Sequence, residues 1–414
     1  MFCEYSFSDS LKSVKRILRT RRGETHSRRF LLRRRATQKA DPYDCFDQVY
    51  LARSQVLRAA NGPARPVVAV DLFSGCGGLS LGAAEACGVV GRSFVVELAV
   101  DRCADSMAVD CRNIPHRRRL VADIARFLNG KLNARTTVEE RRFCRGLPNI
   151  HILLSGPPCQ GNSDLNNHTR RKDSRNKLYE RVARFAELTR PTHVMIENVP
   201  SVRHSRQGVV ETTTQLLTSL GYSVDSGVVD LSTIGVPQRR KRHVLLASLS
   251  MNPDIRRAVK PHAVQTARSV MWAIGDLASR PNGSIFDMPS VQTERNVARI
   301  AYLDDNGLYD LPNRLRPKCH RQGRHSYKSM YGRLYPDLPA QTITSGFGSP
   351  GQGRFVHPTE RRTLTPHEAA RLQFFPDSFD FSPVKQRSAL ADMIGNAVPM
   401  KLSFVLCLHL LGPS

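Results

Sequence analysis

The chain has 414 residues and carries 62 lysines and arginines against 36 aspartates and glutamates, a formal net charge of +26 at pH 7. That length supports one large core with a smaller unit beside it, and the charge predicts a polyanionic partner, nucleic acid before any other. Ten cysteines without a Cys-x-x-Cys pair argue against a zinc ribbon or a disulfide framework and fit a reducing cytosol, and no apolar run reads as a membrane span or signal peptide.

Residues 1–65 open on an Arg-rich stretch, including Arg28-Arg29-Phe30-Leu31-Leu32-Arg33-Arg34-Arg35, which predicts a disordered basic arm with nonspecific phosphate affinity. A targeting presequence, or a start codon placed too far upstream, fits the same composition. Pro66 to Phe73 then reads as a buried strand running into Ser74-Gly75-Cys76-Gly77-Gly78 and a helix. Strand, glycine turn and helix together let backbone amides approach a cofactor at a helix amino terminus. A second strand, Phe94 to Val100, ends at Asp101, and a third, Leu120 to Ala122, ends at Asp123-Ile124. An acid at such a place can accept ribose hydroxyls or cap a helix, and Glu97 rivals Asp101 for the ribose. Two acids in β-α-β order after a glycine turn favour a nucleoside pocket.

Ile152 to Leu154 is a short apolar strand that stops at Gly156-Pro157-Pro158. Neither proline can donate to a ladder, so the backbone leaves the sheet and presents Cys159, then Gln160, past a strand's carboxyl end. A buried structural cysteine is the alternative. A polar loop over residues 166–173 follows, then a helix with Leu178, Val182, Phe185 and Leu188 on one face. Thr192 to Ile196 is another buried strand and closes on Glu197-Asn198. A carboxyl group there is a candidate general acid, because desolvation raises its pKa, although a helix cap would also fit.

Val228 to Leu231 and His243 to Ala247 read as two further strands. Between them lies Gln238-Arg239-Arg240-Lys241-Arg242, whose alternation aims Arg240 and Arg242 at one face. Patterning weakens over 251–330, as in an irregular insert, and returns over 331–414. There Thr365, Pro366 and Glu368 spell a capped helix, and Gly395-Asn396-Ala397-Val398-Pro399 opens an apolar helix to Leu411.

In this order the blocks resemble the DNA (cytosine-5) methyltransferases of the bacterial single-chain type, over roughly residues 66–411. The resemblance implies an α/β, Rossmann-like methyltransferase fold with a mostly parallel twisted sheet and a smaller irregular target-recognition domain. Residues 66–250 would bind S-adenosylmethionine and carry catalysis, 251–330 would recognise the target, and 331–414 would return to the catalytic domain. The implied reaction is methyl transfer to carbon 5 of a flipped-out cytosine in a specific double-stranded DNA sequence, without a metal. A monomer in the bacterial cytoplasm at the nucleoid, with a companion restriction endonuclease, is implied as well.

By the same resemblance, Phe73, Ser74, Gly75, Gly77 and Gly78 form the cofactor loop, Asp101 holds the ribose, and Asp123 and Ile124 read the adenine. Pro158, Leu178, Asn396 and Val398 complete the cofactor pocket. Cys159 is the nucleophile with Gln160 beside it, Glu197 the acid, and Arg240 and Arg242 the cations that position it. Asn162 stands where the family usually has Phe, and Arg102 where an apolar residue is frequent. The tRNA-directed members carry a Cys-Phe-Thr tripeptide in the insert that is missing from this sequence. Intact Cys159, Glu197 and Arg242 weigh against a silent DNA-binding protein, and an amino-group methyltransferase usually has an aromatic residue in place of Cys159.

Overall fold

The structure, a computed structural model, describes residues 2–19, 23–32, 41–54, 66–158, 178–205, 207–277, 283–321 and 329–412. It begins with β1 (Phe2–Phe7), β2 (Ser13–Arg19) and β3 (Thr25–Leu31), an antiparallel three-stranded sheet, followed by α1 (Pro42–Leu51). This corrects the expectation of a disordered arm. Val14, Leu18 and Phe30 are buried with Phe46 and Tyr50 of α1. Arg16 falls in the same inward row of β2, its guanidinium 4.6 Å from the Phe46 ring and 4.5 Å from the Phe404 ring. Aromatic faces thus take a cation that the composition had assigned to solvent.

The main domain alternates strands and helices: β4 (Val67–Leu72), α2 (Gly78–Val89), β5 (Phe94–Asp101), α3 (Ala104–Asn113) and β6 (His116–Val121). Next come α4 (Val138–Cys144), β7 (Ile152–Ser155), α5 (Leu178–Thr189), β8 (His193–Asn198) and α6 (Val209–Ser219). The sheet is completed by β9 (Ser223–Asp230) and β11 (Lys241–Ser248), with the short β10 (Gln238–Arg239) between them in sequence. Its spatial order is β6-β5-β4-β7-β8-β11-β9. Neighbours pair in parallel from β6 through β8, and β11 runs antiparallel to both β8 and β9. This is the Rossmann-like α/β architecture expected.

The strands read as continuous apolar runs because both faces are covered. Ile152 and Leu154 belong to the core shared with α2, whereas Leu153 packs into the second core under α5 and α6. The remaining helices are α7 (Ile255–Val259), α8 (Val270–Ile274), α9 (Glu294–Asp305) and α10 (Lys318–Arg321). After them come β12 (Ala340–Gln341), which pairs with β10, then α11 (Pro366–Leu372), α12 (Arg387–Asn396) and α13 (Met400–Leu411).

Thr365 caps α11 through the reciprocal box with Glu368, as its sequence required. α13 is buried along nearly its whole length beside α2. A Cβ on Gly82 of α2 would collide with the Ser403 hydroxyl and the Met400 carbonyl, so glycine sets that close approach. The stretch Arg387–Leu411, which holds α12 and α13, is long and apolar enough to cross a membrane by length and composition alone. Yet 83% of its most apolar window is buried inside the protein, as befits a core helix.

Packing also divides the chain differently from the sequence boundaries. Ile255, Val270, Ala273 and Ile274 join the main core, although they precede the irregular part of the insert. A separate small core gathers Ile300, Leu303 and Leu311 with Tyr331 and Val356, which lie beyond residue 330.

Candidate active site

Parallel register brings the carboxyl ends of five strands to one edge: Val121 lies opposite Asp101, Val100 opposite Leu72, Leu72 opposite Ser155, and Ser155 opposite Ile196. Adjacent strands are about 4.8 Å apart, so groups leaving these ends can converge on one ligand.

The glycine turn leaves β4 with Phe73 at φ 62°, Gly75 at φ 55° and Gly77 at φ 89°. The Phe73 and Ser74 N–H groups both donate to the Val100 carbonyl, at 2.8 and 3.2 Å. Asp101 closes the turn, accepting from the Gly75 N–H at 2.9 Å through Oδ2 and from the Cys103 N–H at 2.8 Å through Oδ1. Glu97 lies inside β5 and pairs instead with Arg117 at 3.2 Å, so the strand end belongs to Asp101. Asp123 is exposed and uses one oxygen to cap the Ala125 N–H at 2.9 Å, the helix-cap reading of that acid. Ile124 is only 2% exposed and packs in the second core.

The residues present suit a nucleoside cofactor. Gly75 has open space where a Cβ would project, and half-buried Phe73 and Leu178 offer apolar surface. Asp71 takes a hydrogen bond from the Ser80 hydroxyl at 2.6 Å, while its other carboxylate oxygen is buried and has no partner among the described residues. Burial first, then the nearby Asp110 and Asp101, push the Asp71 carboxyl well above the usual carboxylate range. By the resemblance Asp71 opens the cofactor-loop block, but its burial inside β4 and its unpartnered oxygen come from the structure alone.

The C-terminal block reaches the same turn. A Cβ on Gly78 would strike the Val398 carbonyl, so only glycine admits the segment this closely. Gly78→Ala should push Val398 outward, at a cost of about 1–3 kcal/mol in stability, and should weaken cofactor binding. Chemical denaturation and calorimetric titration would check both. Asn396 is exposed at the end of α12, and Val398 is half-buried.

Cys159 and Gln160 lie outside the described residues, but the frame that carries them is described. A Cβ built on Gly156 would sit 3.6 Å from Glu197 Oε2, 3.8 Å from Val398 Cγ2 and 3.9 Å from Leu79 Cδ1. Three residues before Cys159, the acid, the closing block and the first helix therefore meet. Half-buried Pro158 follows, and the Asn198 amide donates to the Pro157 carbonyl at 3.2 Å, tying the turn to β8.

Glu197 is 6% exposed. Burial raises its pKa, opposed by the Arg242 guanidinium, whose Nε lies 2.6 Å from Oε1, and by the charge of Arg240. The helical turn at Pro200–His204 takes no side-chain cap, which removes the capping role for Glu197. Alternation does turn Arg240 and Arg242 inward, yet they separate in function. Arg240 donates to the Ile343 and Ala397 carbonyls, both at 3.0 Å, so it braces the C-terminal segments, and its charge lowers the pKa of the acid. Among the described residues no group of His, Cys, Asp and Glu is placed to hold a metal ion.

A model of the C-5 cytosine-specific DNA methylases matches residues 67–410. The type II methyltransferase M1.BsuMI of Bacillus subtilis is 42% identical over 98% of this chain and 94% of its own length, a span that takes in most of the N-terminal sheet. The type II methylase M.HgiDII of Herpetosiphon aurantiacus is 31% identical over 81% of this chain and 93% of its own. Among solved structures, a prophage-encoded DNA modification methyltransferase from E. coli superposes with a TM-score of 0.55 at 24% identity, covering 83% of this chain and 98% of that one. The Dnmt2 methyltransferase of S. pombe does so with a TM-score of 0.54 at 17% identity, over 83% and 98%. At such identities the two structures speak for the fold alone. The family match and the two curated relatives carry the conclusion that this chain belongs to the C-5 cytosine-specific DNA methylases and is a DNA (cytosine-5)-methyltransferase.

Proposed function

We propose that the enzyme methylates carbon 5 of a flipped-out cytosine within a specific double-stranded DNA sequence, by way of a covalent bond from Cys159 to cytosine carbon 6. The observation that carries this reading is the buried Glu197–Arg242 pair set against the Gly156-Pro157-Pro158 turn. When bound at the glycine turn, S-adenosylmethionine supplies a methyl group on a sulfonium. Phe73, Gly75, Gly77, Gly78, Asp101, Asp123, Leu178, Asn396 and Val398 would hold it.

Cytosine carbon 5 is too electron-poor to attack such a centre unaided. Addition of the Cys159 thiolate to carbon 6, with a proton or hydrogen bond delivered to N3 by Glu197, makes carbon 5 an enamine-like nucleophile. Loss of the carbon 5 proton and departure of the sulfur then restore the aromatic ring. Arg242 would orient the Glu197 carboxyl, and its charge is the candidate cation to favour the thiolate. Carbon 6 is inaccessible in stacked duplex, so the base must leave the helix at a cost of about a few kcal/mol. Basic loops and the insert would offset that cost through phosphate contacts.

By this reading the protein works as a monomer on bacterial DNA in the cytoplasm, with a companion restriction endonuclease. Duplex DNA with 5-fluorocytosine at the target tests the mechanism, because fluorine at carbon 5 cannot leave as a proton does. A protein–DNA complex that survives denaturation and disappears in Cys159→Ala is expected. An active enzyme that forms no adduct would refute covalent addition.

A further inference from the structure

A buried pair of glutamines connects the acid side of the site to its cofactor side. Gln238 of β10 and Gln373 at the end of α11 are both 0% exposed. The Gln238 side-chain oxygen accepts from the Ile343 N–H at 3.1 Å. Its amide nitrogen donates to the Leu372 carbonyl at 2.8 Å and to the Gln373 side-chain oxygen at 2.7 Å. The Gln373 amide in turn donates to the Ile394 carbonyl at 2.6 Å, with the Gly395 and Ala397 carbonyls at 3.4 Å. Every polar atom of both side chains is used, in one directed chain of buried hydrogen bonds.

The acceptors at the far end explain what this chain is for. The last carbonyls of an α-helix have no partner within the helix, and here α12 ends directly in Ala397-Val398-Pro399. Gln373 and Arg240 take those carbonyls, and so hold Val398 against Gly78 and Gly156. The segment that starts at Gln238 also carries Arg242, which grips Glu197. One stretch of five residues therefore fixes the acid at one end and the cofactor wall at the other.

We infer that Gln238 and Gln373 are positioning residues for the cofactor pocket, acting through the height at which residues 396–398 stand over the glycine turn. The inference rests on the cofactor site proposed above. It applies to cofactor affinity and leaves the acid–base chemistry to Glu197.

The test uses the full chain and S-adenosylhomocysteine as the calorimetric probe. Gln373→Met removes the donor to Ile394 and the acceptor for Gln238, and should weaken probe binding roughly tenfold, the share of these two lost buried hydrogen bonds that reaches the pocket. The KM for S-adenosylmethionine should rise, while kcat at saturating cofactor and its pH dependence stay as in the parent. Gln238→Met breaks the same link from the other side without burying a charge and should behave alike, which preserves the test if Gln373→Met fails to fold. A folded variant of either kind with the parent's Kd for the probe would overturn the inference and reduce the pair to a structural tie. If the parent itself failed to bind S-adenosylhomocysteine, the proposed cofactor site would fall instead.

Discussion

Methyl transfer should vanish in Cys159→Ala and should fall roughly 100- to 10,000-fold in Glu197→Gln, with S-adenosylhomocysteine binding retained in both. On the proposed mechanism the first loses the group that activates the ring. The second keeps the size and polarity of the side chain and loses only the acid. Its expected magnitude follows from the environment of Glu197. Burial favours the protonated carboxyl, and Arg242 and Arg240 pull the other way, leaving the pKa raised above its usual value, the direction that proton delivery to N3 would need. The sign of the arginine's effect is testable. Arg242→Ala removes the main charge favouring the carboxylate, so the Glu197 pKa should climb further and the alkaline limb of the kcat profile should move to higher pH. Initial rates from pH 6 to 9 on a saturating duplex would show it. An alkaline limb unmoved in Arg242→Ala would mean that another group titrates there, and an unchanged kcat in Glu197→Gln would remove the acid from the mechanism.

The catalytic face was legible because its strands are buried on both sides. Pro66 to Phe73, Phe94 to Val100 and Thr192 to Ile196 read as largely apolar runs, and the acids after the last two, Asp101 and Glu197, mark where the backbone leaves the core. β6 was harder. It is an edge strand with Arg117, Arg118 and Arg119 exposed, and only its last apolar residues announced it. The N-terminal sheet was illegible for the opposite reason, since Arg16 occupies an inward position where a period-2 pattern demands an apolar residue. Sequence cannot say that a cation will be received between Phe46 and a ring as distant as Phe404. Arg240 carries the same lesson at the site. Its inward direction follows from alternation, but its partners, Ile343 and Ala397, lie 103 and 157 residues away. Gln373 gave no signal at all, because a glutamine closing an amphipathic helix is ordinarily solvated.

Arg184→Met should cost about 3–5 kcal/mol at neutral pH, the usual consequence of leaving one member of a buried ion pair behind. Arg184 of α5 is 1% exposed and meets Glu140 of α4 with two parallel hydrogen bonds, 2.9 Å from Nε to Oε1 and 2.8 Å from Nη2 to Oε2. The same carboxylate accepts from the Gly130 N–H at 3.0 Å and the Thr137 N–H at 2.9 Å, and so knots a loop, a helix cap and α5 together. α5 carries Leu178 in its first turn, so this knot would set how firmly one wall of the proposed cofactor pocket stands. The pH dependence distinguishes the pair from ordinary packing. Hydrogen bonds from Arg184 first, then those from the backbone, lower the Glu140 pKa from 4.5 to about 2. A carboxyl lowered on folding stabilises the protein above its unfolded pKa, and that stability drains away as pH falls from about 4.5 towards 2. Methionine fills much of the arginine's volume but cannot hold the carboxylate. The difference between parent and variant should therefore be widest near pH 7 and should narrow steadily below pH 4.5. Urea denaturation at a series of pH values would measure it, and a gap that stayed constant across the series would assign the loss to packing alone.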